Sequence, residues 1–231
     1  MRRFALLSVA VVLVLVSASC GGGEPATTTS STASAQPDPG RTAVDALLAA
    51  ASQHDAQALW SLLSTPSRKR LGPTFAAFKS TSATKLERAL KPFVGFTGKP
   101  FVSQRISDLF GVVAIHRGAA ALEFPLRSVN GSWRVEAPGP VTIDIGGPQP
   151  GSRTLVGQIG IEIHAPGPPS VGLIWVDGAS VEPKIYTGKK SATVYANLDQ
   201  PLASGVHIAV AYAEEGRDAA ALAWAFTATK S

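Results

Sequence analysis

The chain divides near residue 40 into a leading part that cannot build a folded core and a following part that can. Arg2 and Arg3 precede an uninterrupted apolar run of thirteen residues, 4–16, and three small residues follow it. Residues 21–40 are mostly Gly, Ser, Thr, Ala and Pro and include no large aliphatic or aromatic side chain. Such a segment buries too little apolar surface to offset the entropy lost on ordering. Any folded core is therefore expected within residues 41–231.

The apolar run has the layout of a secretory signal: a basic start, a short apolar stretch and small residues before a cleavage point. It is shorter than the roughly 20 apolar residues of a membrane-spanning helix. The segment Ser17-Ala18-Ser19-Cys20 resembles the lipobox of bacterial lipoprotein signal peptides. That resemblance implies a signal peptide over residues 1–19, lipid including palmitate on Cys20, and an anchor on the extracytoplasmic face of the bacterial cell membrane. The alternative is that Cys20 ends an ordinary secretory signal.

Cys20 is the one cysteine of the chain, so no disulfide can form within it and the fold must rest on packing alone. Residues 20–40 are then a lipidated cysteine and a disordered tether. A flexible coil of this length spans roughly 25 Å root-mean-square. The tether would hold the folded part close to the membrane surface.

Residues 41–231 are long enough for two domains. Pro138, Gly139 and Pro140 interrupt any regular element, and the pattern changes there from helices to repeated short strands. The sequence therefore predicts an α+β domain over residues 41–137 and an all-β domain over residues 138–231.

The first predicted domain opens with helices. Apolar residues recur at helical spacing over residues 43–63 with a break at His54-Asp55, and Thr42 and Asp55 can cap the two helices. Further helices are predicted at 73–79 and 83–92. Strands are predicted at 101–106, 109–117, 120–127 and 132–136, with Asn130-Gly131 as the turn of the last hairpin.

The opening AVDALLAAASQHDAQALWSLLS and the closing VNGSWRV resemble the nuclear transport factor two-like superfamily, a cone of helices on a curved antiparallel sheet. Its enzymes use an acid or a histidine that points into the cone. Here strand alternation predicts Glu123 and Arg127 on the solvent face, with Glu123 facing Arg134 in an exposed ion pair, and places His116 at a turn. No catalytic residue is predicted.

Seven short strands are predicted over residues 141–229, which is typical of a β-sandwich. Large residues alternate with small ones in its last two long strands and are expected to face the sandwich core: Ile208, Val210, Tyr212, Leu222, Trp224 and Phe226. The segments PLASGVHIAVAYA and GRDAAALAWAFTA resemble bacterial immunoglobulin-like domains. That resemblance implies a core tryptophan at Trp175 and a corner position for His207, whose ring would bond a nearby backbone group.

Positive charge is concentrated in the predicted helices. The chain has a net charge of +5, and residues 66–106 contain nine Lys and Arg against Glu87 alone. Such a face can lie on anionic lipid headgroups or a wall phosphate polymer, where each charge contributes about 1 kcal/mol; the alternative is a solvated face that serves solubility. The residues expected to contact the anionic surface are Arg68, Lys69, Arg70, Lys85, Arg88 and Lys91.

Three functions remain open. The favoured one is a non-enzymatic adaptor in the cell envelope that binds a protein partner. The second is a binder or carrier of a small apolar or anionic ligand, which requires an open cone cavity. The third is an isomerase-like enzyme, which requires a buried carboxylate or histidine in that cavity. No cofactor is expected, no metal is expected because the four histidines are widely spaced, and the compartment excludes nucleic acid.

Overall fold

The computed structural model describes residues 39–229, and all of them belong to one compact unit, Gln36–Ser231. The predicted signal peptide, Cys20 and nearly all of the tether lie outside the described residues. Residues 39–229 form five α-helices and three β-sheets. None of their helices has the length and apolar character that crossing a membrane requires.

The helices come first in the chain, and their bounds are α1 Pro39–Ser52, α2 Ala56–Leu62, α3 Thr65–Leu71, α4 Phe75–Thr81 and α5 Ala83–Leu90, followed by a 3-10 turn Lys91–Phe93. Asp55 caps α2 as predicted, accepting a hydrogen bond from the Ala58 N–H at 2.9 Å. The prediction for Thr42 was wrong because α1 already begins at Pro39, which places Thr42 inside the helix.

Helix α3 was not predicted. The Ser64 side chain caps it by accepting from the Ser67 N–H at 3.2 Å, and Pro66 stands in its first turn. Serine before a helix and proline at its start are both typical of helix N-termini. The segment lacks a periodic apolar face because three of its seven residues are Arg68, Lys69 and Arg70.

The next four strands form an antiparallel sheet in the order β1-β2-β3-β4. Their bounds are β1 Val102–Arg105, β2 Phe110–Arg117, β3 Ala120–Val129 and β4 Ser132–Val135, close to the predicted ranges. Asn130 and Gly131 have φ values of 50° and 76°, the left-handed pair that a two-residue hairpin favours. We call this the helix-backed sheet, because Ile115, Phe124 and Leu126 on one face pack against Leu59 and Phe78 of the helices.

The remaining nine strands form two sheets. Their bounds are β5 Thr142–Gly147, β6 Arg153–Thr154, β7 Gln158–His164, β8 Val171–Val176, β9 Ala179–Val181, β10 Lys184–Thr187, β11 Ser191–Asn197, β12 Gly205–Glu215 and β13 Asp218–Ala228. The outer sheet has the order β10-β11-β7-β5, and the middle sheet has the order β6-β13-β12-β8-β9. The two sheets pack face to face through residues such as Ile161, Val194, Trp224 and Phe226, so a β-sandwich is present.

The middle sheet also buries its second face, against the helix-backed sheet. Phe110 and Val112 of the helix-backed sheet pack there on Trp175, Val210 and Tyr212 of the middle sheet. The described chain therefore stacks four layers: helices, helix-backed sheet, middle sheet and outer sheet. The helices and the outer sheet are the two outermost layers.

The prediction that the large residues of β12 face the sandwich core was wrong. Val210 and Tyr212 face the helix-backed sheet, and the intervening Ala209, Ala211 and Ala213 face the sandwich core with no exposed surface. Both faces of β12 are buried. The alternation of large and small side chains therefore distinguishes the contacts with the two neighbouring sheets, and does not distinguish a buried face from a solvent-exposed one.

The prediction that Trp175 is the core tryptophan of the sandwich was also wrong. Trp175 lies at the contact with the helix-backed sheet instead of inside the sandwich. The sandwich core contains Trp224, whose indole N–H donates to the Pro148 carbonyl at 2.9 Å. On β13 the prediction for Trp224 and Phe226 is confirmed.

Candidate functional site

A cluster of buried charged side chains lies where the helix-backed sheet meets the middle sheet. Glu136, 4% exposed, forms an ion pair with Arg127, 7% exposed. Its second carboxylate oxygen accepts from the Ser67 hydroxyl at 2.7 Å and from Arg70 Nη2 at 3.2 Å. Arg127 also donates to the Arg217 carbonyl in the β12–β13 turn. We call this cluster the junction network, since it joins α3, β3 and the middle sheet.

Tyr212 of β12 lies close enough to the junction network that the charges of Arg127 and Glu136 influence its pKa. The Arg127 guanidinium lies 4.7 Å from the centre of the Phe110 ring, and the Tyr212 hydroxyl donates to Glu214 Oε1 at 2.7 Å. Burial, followed by the hydrogen bond to the Glu214 carboxylate, raises the pKa of Tyr212 above its ordinary value. Tyr212 therefore stays neutral and acts as a hydrogen-bond donor within the packed junction.

Glu123 overturns the prediction of an exposed ion pair with Arg134. The β3–β4 register pairs Arg134 with Arg127 instead. The Glu123 carboxylate accepts from the Ala223 N–H of β13 at 3.1 Å. On the side of β13 away from β12, the described strand β6 pairs only with Thr227 and Ala228, so at Ala223 the Glu123 carboxylate occupies a backbone acceptor position. Burial raises the pKa of Glu123 to about 7, although backbone hydrogen bonds oppose the shift.

The residues predicted to contact an anionic surface separate into two groups. Arg70 belongs to the junction network and also donates to the Ala137 carbonyl at 2.8 Å. Arg68 donates to the Leu63 carbonyl at 2.9 Å and lies 4.9 Å from the centre of the Trp60 ring. Both guanidinium groups thus bond to protein atoms, although Arg70 stays partly exposed. The other predicted residues are exposed: Lys69, Lys85, Arg88 and Lys91.

Arg88 and Lys91 line an open groove of about 550 Å³ beside the end of α1 and the 3-10 turn, with Ala51 and Val94 among its apolar wall residues. Glu87 at the groove lies 2.9 Å from His54 Nδ1. Among residues 39–229, no acidic group pairs with Lys85, Arg88 or Lys91. The groove therefore has two basic side chains and one carboxylate, a net positive charge, next to a small apolar surface.

The interior between the helices and the helix-backed sheet is filled. Leu47, Leu59, Phe78 and Ile115 are buried there with at most 1% exposure. A cavity of about 210 Å³ remains near its edge, lined by Gly111, Val113, Leu126 and Trp133 among others. Ligand pockets usually enclose about 300–1,000 Å³, so this cavity is small for a carried molecule.

Three of the four histidines lie at the surface, and the structure gives each a local partner. The His116 ring packs edge-on against Phe101 and contacts the Gly118 carbonyl, and His164 lies 3.2 Å from Asp144. Within residues 39–229, no three acidic or histidine side chains converge as a metal site needs.

His207 is the buried histidine. Its Nε2 lies 2.7 Å from the Ala203 carbonyl oxygen and its Nδ1 lies 2.6 Å from Asp177, so the predicted bond to a nearby backbone group is confirmed. Burial alone would lower the pKa of His207, but the hydrogen bonds to Asp177 and Ala203 raise it above its ordinary value. The ring thus ties β12 to the β8–β9 turn.

The sequence interpretation missed one surface feature, a pair of tyrosines on the outer sheet. The rings of Tyr186 and Tyr195 stack with centres 5.5 Å apart, and their hydroxyl oxygens are 2.9 Å apart. An open cleft of about 280 Å³ adjoins Tyr195. The alternation of outward polar residues along β11 could have predicted that Tyr195 lies on the surface. It could not have predicted the cleft, because the glycines that open it lie on other strands.

No protein-family model matches the chain, and no curated protein matches it. The chain is similar to solved structures of PcoC, a methionine-rich copper resistance protein from Escherichia coli: one at 16% identity over 38% of this chain and 98% of that chain with a TM-score of 0.27, and a selenomethionine form at 14% over 35% and 92% with a TM-score of 0.25. A titin fragment is similar at 10% identity over 52% and 64% with a TM-score of 0.26. None of these likenesses supports an assignment of function.

Proposed function

We propose that this chain is a lipid-anchored, non-enzymatic adaptor on the extracytoplasmic face of a bacterial cell membrane. In this proposal Cys20 carries the lipid, and the helices with β1–β4 form a nuclear transport factor two-like domain. The sandwich forms an immunoglobulin-like domain that binds a protein partner in the envelope. The basic helical layer faces anionic phospholipid headgroups.

The junction network is the observation that supports this proposal most directly. Enzymes tend to place titratable groups with perturbed pKa values in a cleft that a substrate can enter. Here Glu136 and Tyr212 bond to protein side chains within their own layers. Glu123 and Arg127 bond to backbone groups of β13 and the β12–β13 turn across the contact between two sheets. Their chemistry is used to hold the layers together, which is what a rigid adaptor requires.

The filled interior favours the adaptor over the carrier. A cavity of about 210 Å³ holds about seven water molecules at about 30 Å³ each, which is less than a lipid-like or drug-sized ligand needs. The open groove near Arg88 and Lys91 is larger, but its charge and exposure suit contact with a surface better than enclosure of a ligand.

The layer order suggests how the anchored protein is oriented. The tether enters the described chain at α1, in the helical layer, where Lys69, Lys85, Arg88 and Lys91 are exposed. A flexible tether of about 25 Å keeps these charges close to the membrane, and each contributes about 1 kcal/mol on an anionic surface. The outer sheet lies at the opposite side of the stack and stays accessible to a partner.

Vesicle flotation tests the membrane contact. Residues 20–231 are prepared with Cys20→Ser, so that neither the signal peptide nor a lipid contributes, and are mixed with vesicles of phosphatidylglycerol and phosphatidylcholine. Arg88→Glu combined with Lys91→Glu is expected to lower the bound fraction at least tenfold, because the groove loses two attractive charges and gains two repulsive ones. Vesicles of phosphatidylcholine alone should bind neither chain.

The matched control reverses Lys189 and Lys190 in the β10–β11 turn of the outer sheet, which changes the net charge equally but on the far layer. Equal weakening by both pairs would show that only net charge matters and would contradict the proposed orientation. In cells, a palmitate analogue should label the unchanged chain and not the Cys20→Ser chain, and equal labelling of both would contradict the anchor.

A further inference from the structure

At the centre of its outward face, the outer sheet has glycines, so backbone without side chains is exposed there. Side chains alternate regularly on this sheet, with Ile159, Ile161 and Ile163 of β7 directed to the sandwich core. On the other face, Gly160 stands in register with Tyr195 on one side and Gly147 on the other. Together with Gly146, these glycines open the cleft of about 280 Å³.

Gly160 is not required by the fold. A Cβ atom at Gly160 would meet only the Val194 carbonyl at 3.6 Å and Tyr195 Cβ at 3.7 Å, which are ordinary contacts. Gly146 differs, because its Cβ would lie 3.2 Å from the Gly160 backbone at the β5 irregularity. A glycine inside a strand weakens it and often marks the close approach of another group. Among residues 39–229, no group beyond its two chain neighbours comes closer than 3.6 Å to the Cβ position at Gly160.

One wall of the cleft is the ring of Tyr195, whose orientation is fixed by stacking within the protein. Strand β11 lies between β10, which carries Tyr186, and β7, which carries Gly160. Tyr186 stacks against Tyr195 with an angle of 10° between the rings, so the side of Tyr195 toward β7 fronts the glycines of the cleft. A wall that is already ordered lowers the entropy lost on binding.

The other lining groups are hydrogen-bonding side chains: Gln158, Glu162 and Thr193. An apolar ring face beside an amide, a carboxylate and a hydroxyl complements a saturated ring whose C–H face is apolar and whose edge carries hydroxyl groups. The volume corresponds to about nine water molecules at about 30 Å³ each, which is room for one such ring and its substituents.

The charge on this face favours an uncharged ligand. Asp144 and Glu162 lie within 3.2 Å and 3.8 Å of the His164 ring, and Lys184 is the register partner of Tyr195. Glu162 is the charged group of the cleft lining, and its carboxylate repels an anion. Lys189 and Lys190 lie in the β10–β11 turn and not in the lining, so the cleft itself lacks the positive charge that would recruit an acidic polymer.

We propose that this cleft is a glycan-binding site that takes one neutral sugar ring of a surface polysaccharide, stacked on Tyr195 above Gly160. The C–H face of the sugar lies on the tyrosine ring, and its hydroxyl groups bond to Glu162, Gln158 and Thr193. The site lies on the layer opposite the basic helices, so membrane contact and glycan binding are compatible in one molecule.

Isothermal titration of residues 20–231 carrying Cys20→Ser tests the site. The probes are short neutral oligosaccharides of glucose, mannose, galactose and N-acetylglucosamine, with polygalacturonate as an anionic probe. At least one neutral oligosaccharide should bind. Gly160→Val should weaken that binding at least tenfold, because its branched side chain fills the cleft while suiting a strand. Tyr195→Ala should weaken it comparably by removing the stacking surface.

The control is Gly157→Ala, in the loop before β7, where an added Cβ meets no atom within 4 Å; it should bind as the unchanged chain does. Equal thermal midpoints for Gly160→Val and the unchanged chain would exclude misfolding as the cause of lost binding. Binding of none of the neutral probes, binding of polygalacturonate alone, or unchanged affinity in Gly160→Val would each overturn the proposal.

Discussion

At the scale of single residues, the most informative side chains are charged groups that the fold removes from water. Glu123 occupies a strand-alternation position that is usually wet on a two-layer α+β domain, and nothing in the surrounding AALEFPLRS marks it as different. Its burial arises because another sheet, distant in sequence, covers that face. The local sequence pattern places a residue on one face of a strand. Whether that face is exposed to solvent depends on whether another sheet packs against it.

Glu123→Gln should change how stability depends on pH. Below the ordinary pKa of 4.5 the carboxyl is protonated in both states and costs nothing. As the pH rises, the unfolded chain loses the proton first, so the free energy of unfolding falls until the pH passes the folded-state pKa of about 7. The loss is about 3 kcal/mol for a shift of this size. The glutamine variant lacks this dependence while its amide oxygen can still accept from Ala223.

Urea unfolding at pH 5 and pH 8 measures the effect. The stability of Glu123→Gln relative to the unchanged chain should rise between the two pH values by up to about 3 kcal/mol. The exposed Glu182→Gln serves as control and should shift by less than about 0.5 kcal/mol at either pH. A difference for Glu123→Gln that is the same at both pH values would show that the carboxyl is not held neutral by burial.

At the scale of elements, two hairpin turns of the same type differ in what surrounds them. Asn130-Gly131 joins β3 to β4 and Asp177-Gly178 joins β8 to β9, and all four residues have positive φ values. Tight hairpins favour this pair of conformations, and Asn-Gly and Asp-Gly favour the turn. The first turn faces open space, whereas a Cβ on Gly178 would lie 2.5 Å from the Phe101 carbonyl at the start of the helix-backed sheet.

Replacing each turn glycine by alanine should therefore separate backbone strain from packing. Gly131→Ala is expected to cost about 1 kcal/mol, since the left-handed conformation disfavours a Cβ. Gly178→Ala should cost about 1–3 kcal/mol more because the methyl group also collides with backbone of another layer. Chemical denaturation of the two variants measures the difference, and equal losses would mean that the two sheets do not approach this closely in solution.

At the scale of the whole molecule, the three sheets share their cores. Phe110 and Val112 of the helix-backed sheet meet Trp175, Val210 and Tyr212 of the middle sheet, and the middle sheet in turn completes the sandwich. The predicted boundary at residue 138 separates two sequence patterns. The contact at Trp175 and Tyr212 makes the stability of the residues before the boundary depend on the residues after it. Buried ion pairs add geometric requirements to that contact, since an unpaired buried charge is strongly destabilising.

Residues 39–231 are expected to unfold in one calorimetric transition, with equal calorimetric and van't Hoff enthalpies. Residues 138–231 produced alone would expose Trp175, Val210 and Tyr212, and should self-associate or bind a hydrophobic dye. Two resolved transitions in the longer chain, together with a monomeric shorter chain that binds no dye, would show that the two sides fold independently.

The sequence by itself determined the local elements. The four strands of the helix-backed sheet, the cap at Asp55 and the Asn130-Gly131 turn follow from side-chain period, capping chemistry and left-handed backbone preference, all of which act within a few residues. The sequence also limited the described fold to packing without disulfides, since the one cysteine precedes it.

Only the tertiary structure decided what each face meets. The large and small residues of β12 are both interior, and Trp175 lies at the junction. Arg127 and Glu136 are buried and Glu123 is partly buried, each next to another layer. The candidate cleft likewise joins Gly160 to Tyr195 and Gly147 across three strands. These outcomes depend on contacts between residues far apart in the chain. A local sequence pattern carries no information about which distant segment will pack against it.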